Sequence, residues 1–131
     1  MNSEDVVRGV IESYKSRDLN DVLSRFSEDV HYSMNAVPGA ADYAIDTRSK
    51  AEMAQMLTRI SEEWTIEAYE ITDLIAQADR VATQSRIQYR RRGTERVVTS
   101  MLAHFWAVKD GLVTEIVEYH DTLAIRDAGL P

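Results

Sequence analysis

Three segments within the first 64 residues carry apolar side chains at helical spacing. Ser3, with acids at the next two positions, predicts the start of a first helix, because a hydroxyl caps free backbone amides and acids favour the positive end of the helix dipole. Asp18 predicts the cap of a second helix, and Ser49 with Glu52 forms a capping box before a third. The predicted buried faces are Val6, Val7, Val10, Ile11 and Tyr14; Leu19, Val22, Leu23 and Phe26; and Met53, Met56, Leu57, Ile60 and Trp64.

After residue 64 the hydrophobic pattern changes to a period of two, which is typical of strands. Four strands are predicted, at residues 65–77, 80–91, 95–108 and 112–124. The connections "QADR", "RRGT" and "KDG" are as short as hairpin turns, so these strands form an antiparallel meander. Earlier in the chain, residues 29–34 predict a short strand, and residues 35–47, with Pro38-Gly39, predict a long loop.

Helices followed by a meander predict an α+β fold, with three N-terminal helices packed on a curved, mostly antiparallel sheet. Helices cover only one face of such a sheet, so the sheet bends around them into a cone-shaped α+β barrel with a central pocket. At 131 residues the chain is predicted to form a single domain, 1–131. The other sheet face stays free and predicts a homodimer.

The last predicted hairpin mixes ionisable side chains with apolar ones. A three-residue turn at 109–111 would pair Val108 with Leu112. His104 and Glu118 would then be diagonal neighbours on one face, with their Cβ atoms roughly 7 Å apart. The same face carries Trp106, Thr114, His120 and Thr122, and the other carries Met101, Ala103, Phe105, Ala107, Val113, Val117 and Tyr119. Alternation alone leaves open which face lines the hollow.

Charge and composition exclude several classes of function. The net charge of −7 disfavours nucleic acid and anionic membranes as partners. The absence of cysteine excludes disulfides and thiolate chemistry, and the three histidines are not spaced as zinc ligands. No apolar run reaches the ~18 residues that span a bilayer, and the start of the chain lacks the features of a signal peptide. We therefore expect a cytoplasmic protein with no metal and no cofactor.

The hairpin motif "D-G-x-V-x-E-x-x-E-Y-x-D" at residues 110–121, the helices before it and the Pro-Gly loop resemble SnoaL-like members of the nuclear transport factor 2-like superfamily. This superfamily includes ketosteroid isomerase and limonene-1,2-epoxide hydrolase. The resemblance implies the cone-shaped fold. It places Glu118 where the family's polyketide cyclases carry a catalytic aspartate, and His104 where they carry its histidine partner.

Two relatives fit the sequence less well. The Arg-x-Asp of limonene-epoxide hydrolase corresponds to Arg86-Ile87-Gln88, which lacks the second carboxylate, and its Tyr-x-Asn corresponds to Tyr32-Ser33-Met34, which lacks the asparagine. The residues that match the three functional positions of ketosteroid isomerase are Val10, Met34 and His104. The resemblance therefore does not imply a steroid isomerase.

The resemblance implies a cofactor-independent acid/base enzyme that acts on a small, largely apolar carbonyl or epoxide compound. Glu118 would be the general acid/base, His104 its partner, and Arg86 the group that stabilises developing negative charge. The predicted substrate-binding residues are Tyr32, Trp64, Gln88, Trp106 and His120. Two alternatives stay open: His104 and Glu118 form only a satisfied polar pair, or the chain is a non-catalytic ligand-binding or dimerisation module.

Overall fold

A computed structural model describes residues 2–35, 46–121 and 123–124. Its elements are α1 (Ser3–Lys15), α2 (Leu19–Ser24), β1 (Phe26–Met34), β2 (Asp46–Thr47), α3 (Lys50–Glu63), β3 (Trp64–Gln77), β4 (Arg80–Arg91), β5 (Val97–Lys109) and β6 (Leu112–His120). The strands form one sheet in the order β2-β1-β6-β5-β4-β3. β1 and β6 are parallel and the other neighbours antiparallel. The predicted α+β class, with helices on a curved and mostly antiparallel sheet, is confirmed.

Side-chain caps begin α1, α2 and α3, but one predicted cap is wrong. Asn2 rather than Ser3 caps α1, since its Oδ1 accepts from the Asp5 amide at 2.8 Å, whereas the Ser3 hydroxyl donates to the Ala78 carbonyl. Asp18 and Ser49 cap α2 and α3 as predicted. No helix in the described part of the chain is long and apolar enough to cross a membrane.

Several element boundaries differ from the predicted ones. Phe26 and Trp64 were predicted on helices, yet each is the first residue of a strand, because a buried aromatic side chain fits both periods where an element changes. β6 ends at His120 and not at 124, and Thr122 lies outside the described residues. Of the predicted loop 35–47, residues 36–45, including Pro38-Gly39, also lie outside them, and the last two residues form β2.

The β5–β6 hairpin has a two-residue turn instead of the predicted three-residue one. Asp110 and Gly111 both have positive φ, at 53° and 78°, and Lys109 pairs with Leu112. Positive φ at both central residues is typical of the tight hairpin turns whose twist matches that of the strands. A bulge at Thr114 restores the alternation, so His104 lies directly opposite Glu118 and not diagonal to it.

The inner face of this hairpin is the one that carries the ionisable groups. His104, Trp106 and His120 are buried against the helices, whereas Phe105 and Tyr119 on the other face are 45% and 48% exposed. The hydrophobic pattern alone had not decided which face of the hairpin lines the hollow. Val113 is the exception to the predicted faces: it is fully buried, because the bulge after it turns it inward.

Candidate active site

A cavity of about 90 Å³ lies between the helices and the concave face of the sheet. A water molecule needs about 10–15 Å³ on the same measure, so the cavity has room for several waters or a small organic molecule. Its wall is mostly apolar, with side chains from α1, α2, α3 and β1. The polar side chains in its lining are Tyr14, Tyr32, Tyr69, Tyr89, His104, Glu118 and His120. Such a wall with few polar groups is typical of a small-molecule site.

Glu118 contacts two imidazoles inside the cavity. Its Oε1 lies 2.7 Å from Nε2 of His104, which is a hydrogen-bond distance. Its Oε2 lies 3.5 Å from Nδ1 of His120, which is long for a hydrogen bond but close enough for an ionic contact. The side chains of His104, Glu118 and His120 are only 8%, 13% and 2% exposed, respectively. The carboxylate is therefore shielded from solvent and held by two rings.

These contacts decide the ionisation of Glu118. Burial alone would raise its pKa, because it disfavours the charged form. The hydrogen bond from His104, the contact with His120 and the electrostatic attraction of the two rings together outweigh burial and hold the pKa of Glu118 well below its usual range. Glu118 is therefore a carboxylate at neutral pH.

Neighbouring groups fix the orientation of this cluster. The His104 ring packs against Trp106, with ring centroids 5.3 Å apart, and the Trp106 indole N–H donates to the Thr83 hydroxyl at 2.9 Å. Asn35 follows the last residue of β1. Its backbone N–H donates to the Glu118 carbonyl, and its side-chain Oδ1 accepts from the backbone N–H of His120 at 3.0 Å. β5 thus positions one imidazole, and β1 fixes the backbone of the other two residues.

Six of the eight predicted site residues line the cavity. They are Tyr32, Trp64, His104, Trp106, Glu118 and His120. They come from the inner faces of β1, β3, β5 and β6, so the structure brings together positions that lie far apart in the chain.

Arg86 and Gln88 were predicted to face the pocket, and this placement is wrong. Their strand exposes Arg86 and buries its neighbours Ser85 and Ile87, which face inward. Arg86 lies opposite Met101 on the outer sheet surface, and the Gln88 amide is 3.4 Å from a carboxylate oxygen of Glu67. Arg86 therefore does not neutralise Glu118 either. The register of β4 on β5 decides these positions, and the sequence alone did not give it.

Tyrosines supply the polar groups that the sequence analysis missed. Burial, and next the negative charge of Glu118, raise the pKa of Tyr14 and of Tyr69 far above the usual range, so both keep their hydroxyl protons. Their rings meet edge to face at 6.1 Å. Tyr14 was predicted only as part of a buried helix face. Tyr69 was hidden because bulges in β3, after Ile66 and after Ile71, break the alternation of that strand.

No group of three histidine, aspartate or glutamate side chains in the described ranges is arranged to hold a metal ion.

Comparison with known proteins places the fold. An NTF2-like protein from Burkholderia thailandensis is 20% identical and superposes with a TM-score of 0.85, covering 100% of this chain and 99% of that chain. An LEH-like epoxide hydrolase of M. tuberculosis is 17% identical, with a TM-score of 0.76 and coverage of 95% and 86%. TerC, co-crystallized with polyporic acid, is 20% identical, with a TM-score of 0.79 and coverage of 96% of each chain.

The cone of helices and curved sheet is thus the nuclear transport factor 2-like fold. Within it, the sequence profile of the SnoaL-like domain matches residues 7–116, so the chain belongs to the SnoaL-like domain family, as its hairpin motif indicated. No curated protein matches the chain. The match supports the family and leaves the reaction to be argued from the site. The prediction of one domain over 1–131 stays a prediction.

Proposed function

We propose that this protein is a cofactor-independent acid/base enzyme acting on a small, largely apolar carbonyl or epoxide compound. The observation that carries the proposal is the 2.7 Å contact between Glu118 and His104 inside an apolar cavity. A carboxylate hydrogen-bonded to an imidazole orients the ring and stabilises positive charge that develops on it, so the pair is suited to take up and release a proton. Proton transfer by such a group typically accelerates a reaction by about 10²–10⁴-fold.

The reactions that suit this site are isomerisation, aldol cyclisation, dehydration and water addition. Each moves a proton to or from a carbon or oxygen atom and develops negative charge on an oxygen. Tyr14 and Tyr69 stay protonated beside Glu118, so we assign them the stabilisation of this charge, the part that Arg86 was expected to take. Tyr32, Trp64 and Trp106 would form the apolar wall for the substrate. A relative that is an epoxide hydrolase and one co-crystallized with polyporic acid support a small-molecule site of this kind.

Hydrogen–deuterium exchange tests the proposal without knowledge of the natural substrate. The protein is incubated in D2O with a panel of small ketones, and NMR follows the loss of C–H signals next to the carbonyl. A parallel panel of epoxides is analysed for diols. We expect turnover of at least one class, and a loss of at least about 100-fold in Glu118→Gln, which removes the charge of the pair.

Glu115→Gln is the matched control for this experiment. Glu115 lies on the same strand opposite Ala107 and does not line the cavity, so the control removes the same charge on the other side of the sheet. Glu115→Gln should keep the wild-type rate. Equal rates in wild type and Glu118→Gln, or no turnover in either panel, would contradict the enzyme proposal.

A non-catalytic ligand-binding module is the second candidate. It is favoured by the largely apolar wall, which holds a small molecule without any proton transfer. In that case wild type and Glu118→Gln would both bind members of the panels, as seen by quenching of Trp64 and Trp106 fluorescence, and neither would exchange deuterium or form diols. Loss of turnover with retained binding in Glu118→Gln supports the enzyme instead.

We also propose that the protein forms a homodimer through the outer face of the sheet. This face exposes Met101, Phe105 and Tyr119, which are 43–48% exposed and come from neighbouring strands. The rings of Phe105 and Tyr119 meet edge to face with centroids 6.0 Å apart. A contiguous apolar patch of this kind is typical of an interaction surface. The cytoplasmic location stays a prediction.

A further inference from the structure

The two oxygens of the Glu118 carboxylate contact different imidazoles, Oε1 that of His104 and Oε2 that of His120. We propose that His120 is a second proton-carrying residue, so that His104 and His120 work as a paired acid and base joined by Glu118. This inference rests on the proposed function. In this inference Glu118 does not exchange a proton with the substrate. It binds and orients the two histidines that do.

The position of the carboxylate determines which ring nitrogen carries hydrogen. An ionised carboxylate only accepts hydrogen bonds, so the nitrogens that face it are Nε2–H of His104 and Nδ1–H of His120. In a neutral ring the other nitrogen then holds a lone pair. These nitrogens are Nδ1 of His104 and Nε2 of His120. Both are buried, and among the described residues both lack a hydrogen-bond partner; Nδ1 of His120 has none either, since its 3.5 Å contact with Glu118 is ionic. A buried polar atom without a hydrogen-bond partner costs free energy. A bound molecule that gives a proton to either nitrogen would remove this cost.

The charges around the cluster favour one shared proton. The groups that face it from the packed elements are Tyr14 on α1, Tyr32 on β1, Tyr69 on β3 and Tyr89 on β4. Glu118 is the only carboxylate in the described cavity lining, which includes no lysine or arginine. One protonated histidine beside ionised Glu118 leaves a net charge of zero, which costs least in an apolar cavity. The resting site would therefore hold one neutral and one protonated imidazole.

This state performs both halves of a proton shift. The neutral imidazole takes a proton from a carbon next to the substrate carbonyl, and the electron pair of the broken C–H bond forms an enolate. The protonated imidazole then gives its proton to a second position. If that position is a carbon, the C–H bond that forms completes an isomerisation. If it is a β-hydroxyl, the C–O bond breaks, a C=C bond forms and water leaves. In both cases one proton is taken and one is given.

The substrate class follows from this balance. The substrate must carry an acidic C–H next to a carbonyl and a second site that accepts a proton, either a conjugated carbon or a β-hydroxyl. Simple ketones with only the first feature would exchange deuterium, whereas enones and β-hydroxy ketones would be converted. After either conversion the site again holds one proton, now on the other imidazole. A transfer between the two rings through Glu118, or an exchange with solvent, restores the starting state.

Nitrogen NMR of the histidine rings tests the inference independently of turnover. Long-range 1H–15N spectra of the 15N-labelled protein distinguish a nitrogen that carries hydrogen from one that does not. We expect His120 to carry hydrogen on Nδ1 and a lone pair on Nε2 in its neutral form, and Glu118→Gln to disturb the signals of both His104 and His120. His31, which contacts Asp46 at 2.9 Å outside the cavity, should not respond and serves as the internal control.

A second variant separates this inference from the proposed function. In His120→Gln, conversion of a β-hydroxy ketone or enone should fall at least about 10-fold more than deuterium exchange of a simple ketone, because only conversion needs both rings. A neutral His120 with hydrogen on Nε2, or equal losses in the two assays, would overturn the pairing even if Glu118→Gln is inactive. If Glu118→Gln keeps full turnover, the proposed function itself fails.

Discussion

At the scale of single residues, Glu118 is defined by its partners more than by its burial. A carboxylate buried alone would be protonated at neutral pH, because the charged form is costly in an apolar environment. Here His104 at 2.7 Å and His120 at 3.5 Å reverse that preference and lower the pKa of Glu118. These contacts therefore link the charge of Glu118 to the stability of the fold.

This linkage predicts a pH-dependent difference between wild type and Glu118→Gln. Because the folded-state pKa of Glu118 is lowered from 4.5, its stabilising contribution is complete above that pH and is lost as the pH falls towards the lowered value. We expect Glu118→Gln to be less stable at pH 7 by roughly 1–3 kcal/mol, since the buried histidines lose their charged partner. Urea unfolding at several pH values measures the difference.

The difference should shrink steadily when the pH is lowered below 4.5, because wild type then loses the contribution that the variant lacks. Glu115→Gln, measured under the same conditions, corrects for the general effect of removing an acid from β6. A difference between wild type and Glu118→Gln that is absent at pH 7, or that grows at low pH, would contradict the lowered pKa.

Sequence reasoning located the charged pair but not all of its surroundings. The alternation of the last hairpin put His104, Glu118 and His120 on one face, because side-chain direction in a strand depends only on parity. It failed for Arg86, whose strand has its own register, and for Tyr69, which lies between two bulges. Parity within one strand is local information, whereas register between strands depends on the whole sheet.

At the scale of elements, the β5–β6 turn sets the pairing of His104 with Glu118. Asp110 and Gly111 form the two-residue turn, and the bulge at Thr114 shifts the rest of β6 by one position. The result is direct pairing of His104 with Glu118. The predicted three-residue turn would have given the correct faces with Glu118 displaced by two positions, so the geometry of the site depends on this turn.

Gly111→Ala should therefore weaken both the fold and the site. Gly111 has φ of 78°, and a Cβ there would have no atom within 4 Å, so the substitution tests backbone strain without a steric clash. We expect a loss of about 1–2 kcal/mol in the free energy of unfolding, the usual cost of the left-handed conformation for alanine. Urea denaturation measures this loss, and deuterium exchange of the ketone panel measures the effect on the site.

Gly93→Ala is a matched control, since Gly93 has φ of 76° and equally open surroundings in the turn between β4 and β5. Both variants should lose similar stability, but only Gly111→Ala should also lower the exchange rate. Wild-type stability in Gly111→Ala, or an equal loss of exchange in Gly93→Ala, would show that the β5–β6 turn does not position the site.

The positions of the helices and strands along the chain were predicted better than the pairing of the strands in the sheet. Helix caps and hairpin turns are local features, and the helices and the four long strands lie close to their predicted positions. The parallel pairing of β1 with β6 joins residues more than 80 positions apart, such as Met34 and Glu118, and no local pattern indicated it. The resemblance to a known family implied the cone-shaped fold, but this pairing was not predicted.

At the scale of the whole molecule, the sheet separates two surfaces of different character. The concave face holds the cavity, and the outer face exposes Met101, Phe105 and Tyr119. A homodimer through the outer face would cover these side chains and leave the cavity unchanged. Alternation assigned His104, Trp106 and His120 to one face of the hairpin and Phe105 and Tyr119 to the other, as the structure has them. It misplaced Val113 and did not say which face was buried.

Phe105→Arg combined with Tyr119→Arg should convert a dimer to a monomer, because two unpaired charges per chain would be buried in the contact. Light scattering coupled to size-exclusion chromatography measures the mass in solution. Gln55→Arg, at an exposed position on α3, adds the same kind of charge on the helical side and should leave the mass unchanged. A monomeric wild type, or a dimer that survives both substitutions on the outer face, would contradict this interface.

The most direct test of the account is a 13C NMR titration of the Glu118 carboxyl carbon in wild type and in His104→Gln. If Glu118 is an ionised group held by His104 and His120, its pKa lies well below the ordinary 4.5 in wild type and moves upward when His104 is replaced. A Glu118 that titrates at or above 4.5 in wild type, or that does not respond to His104→Gln, would contradict the charged pair on which the proposed chemistry rests.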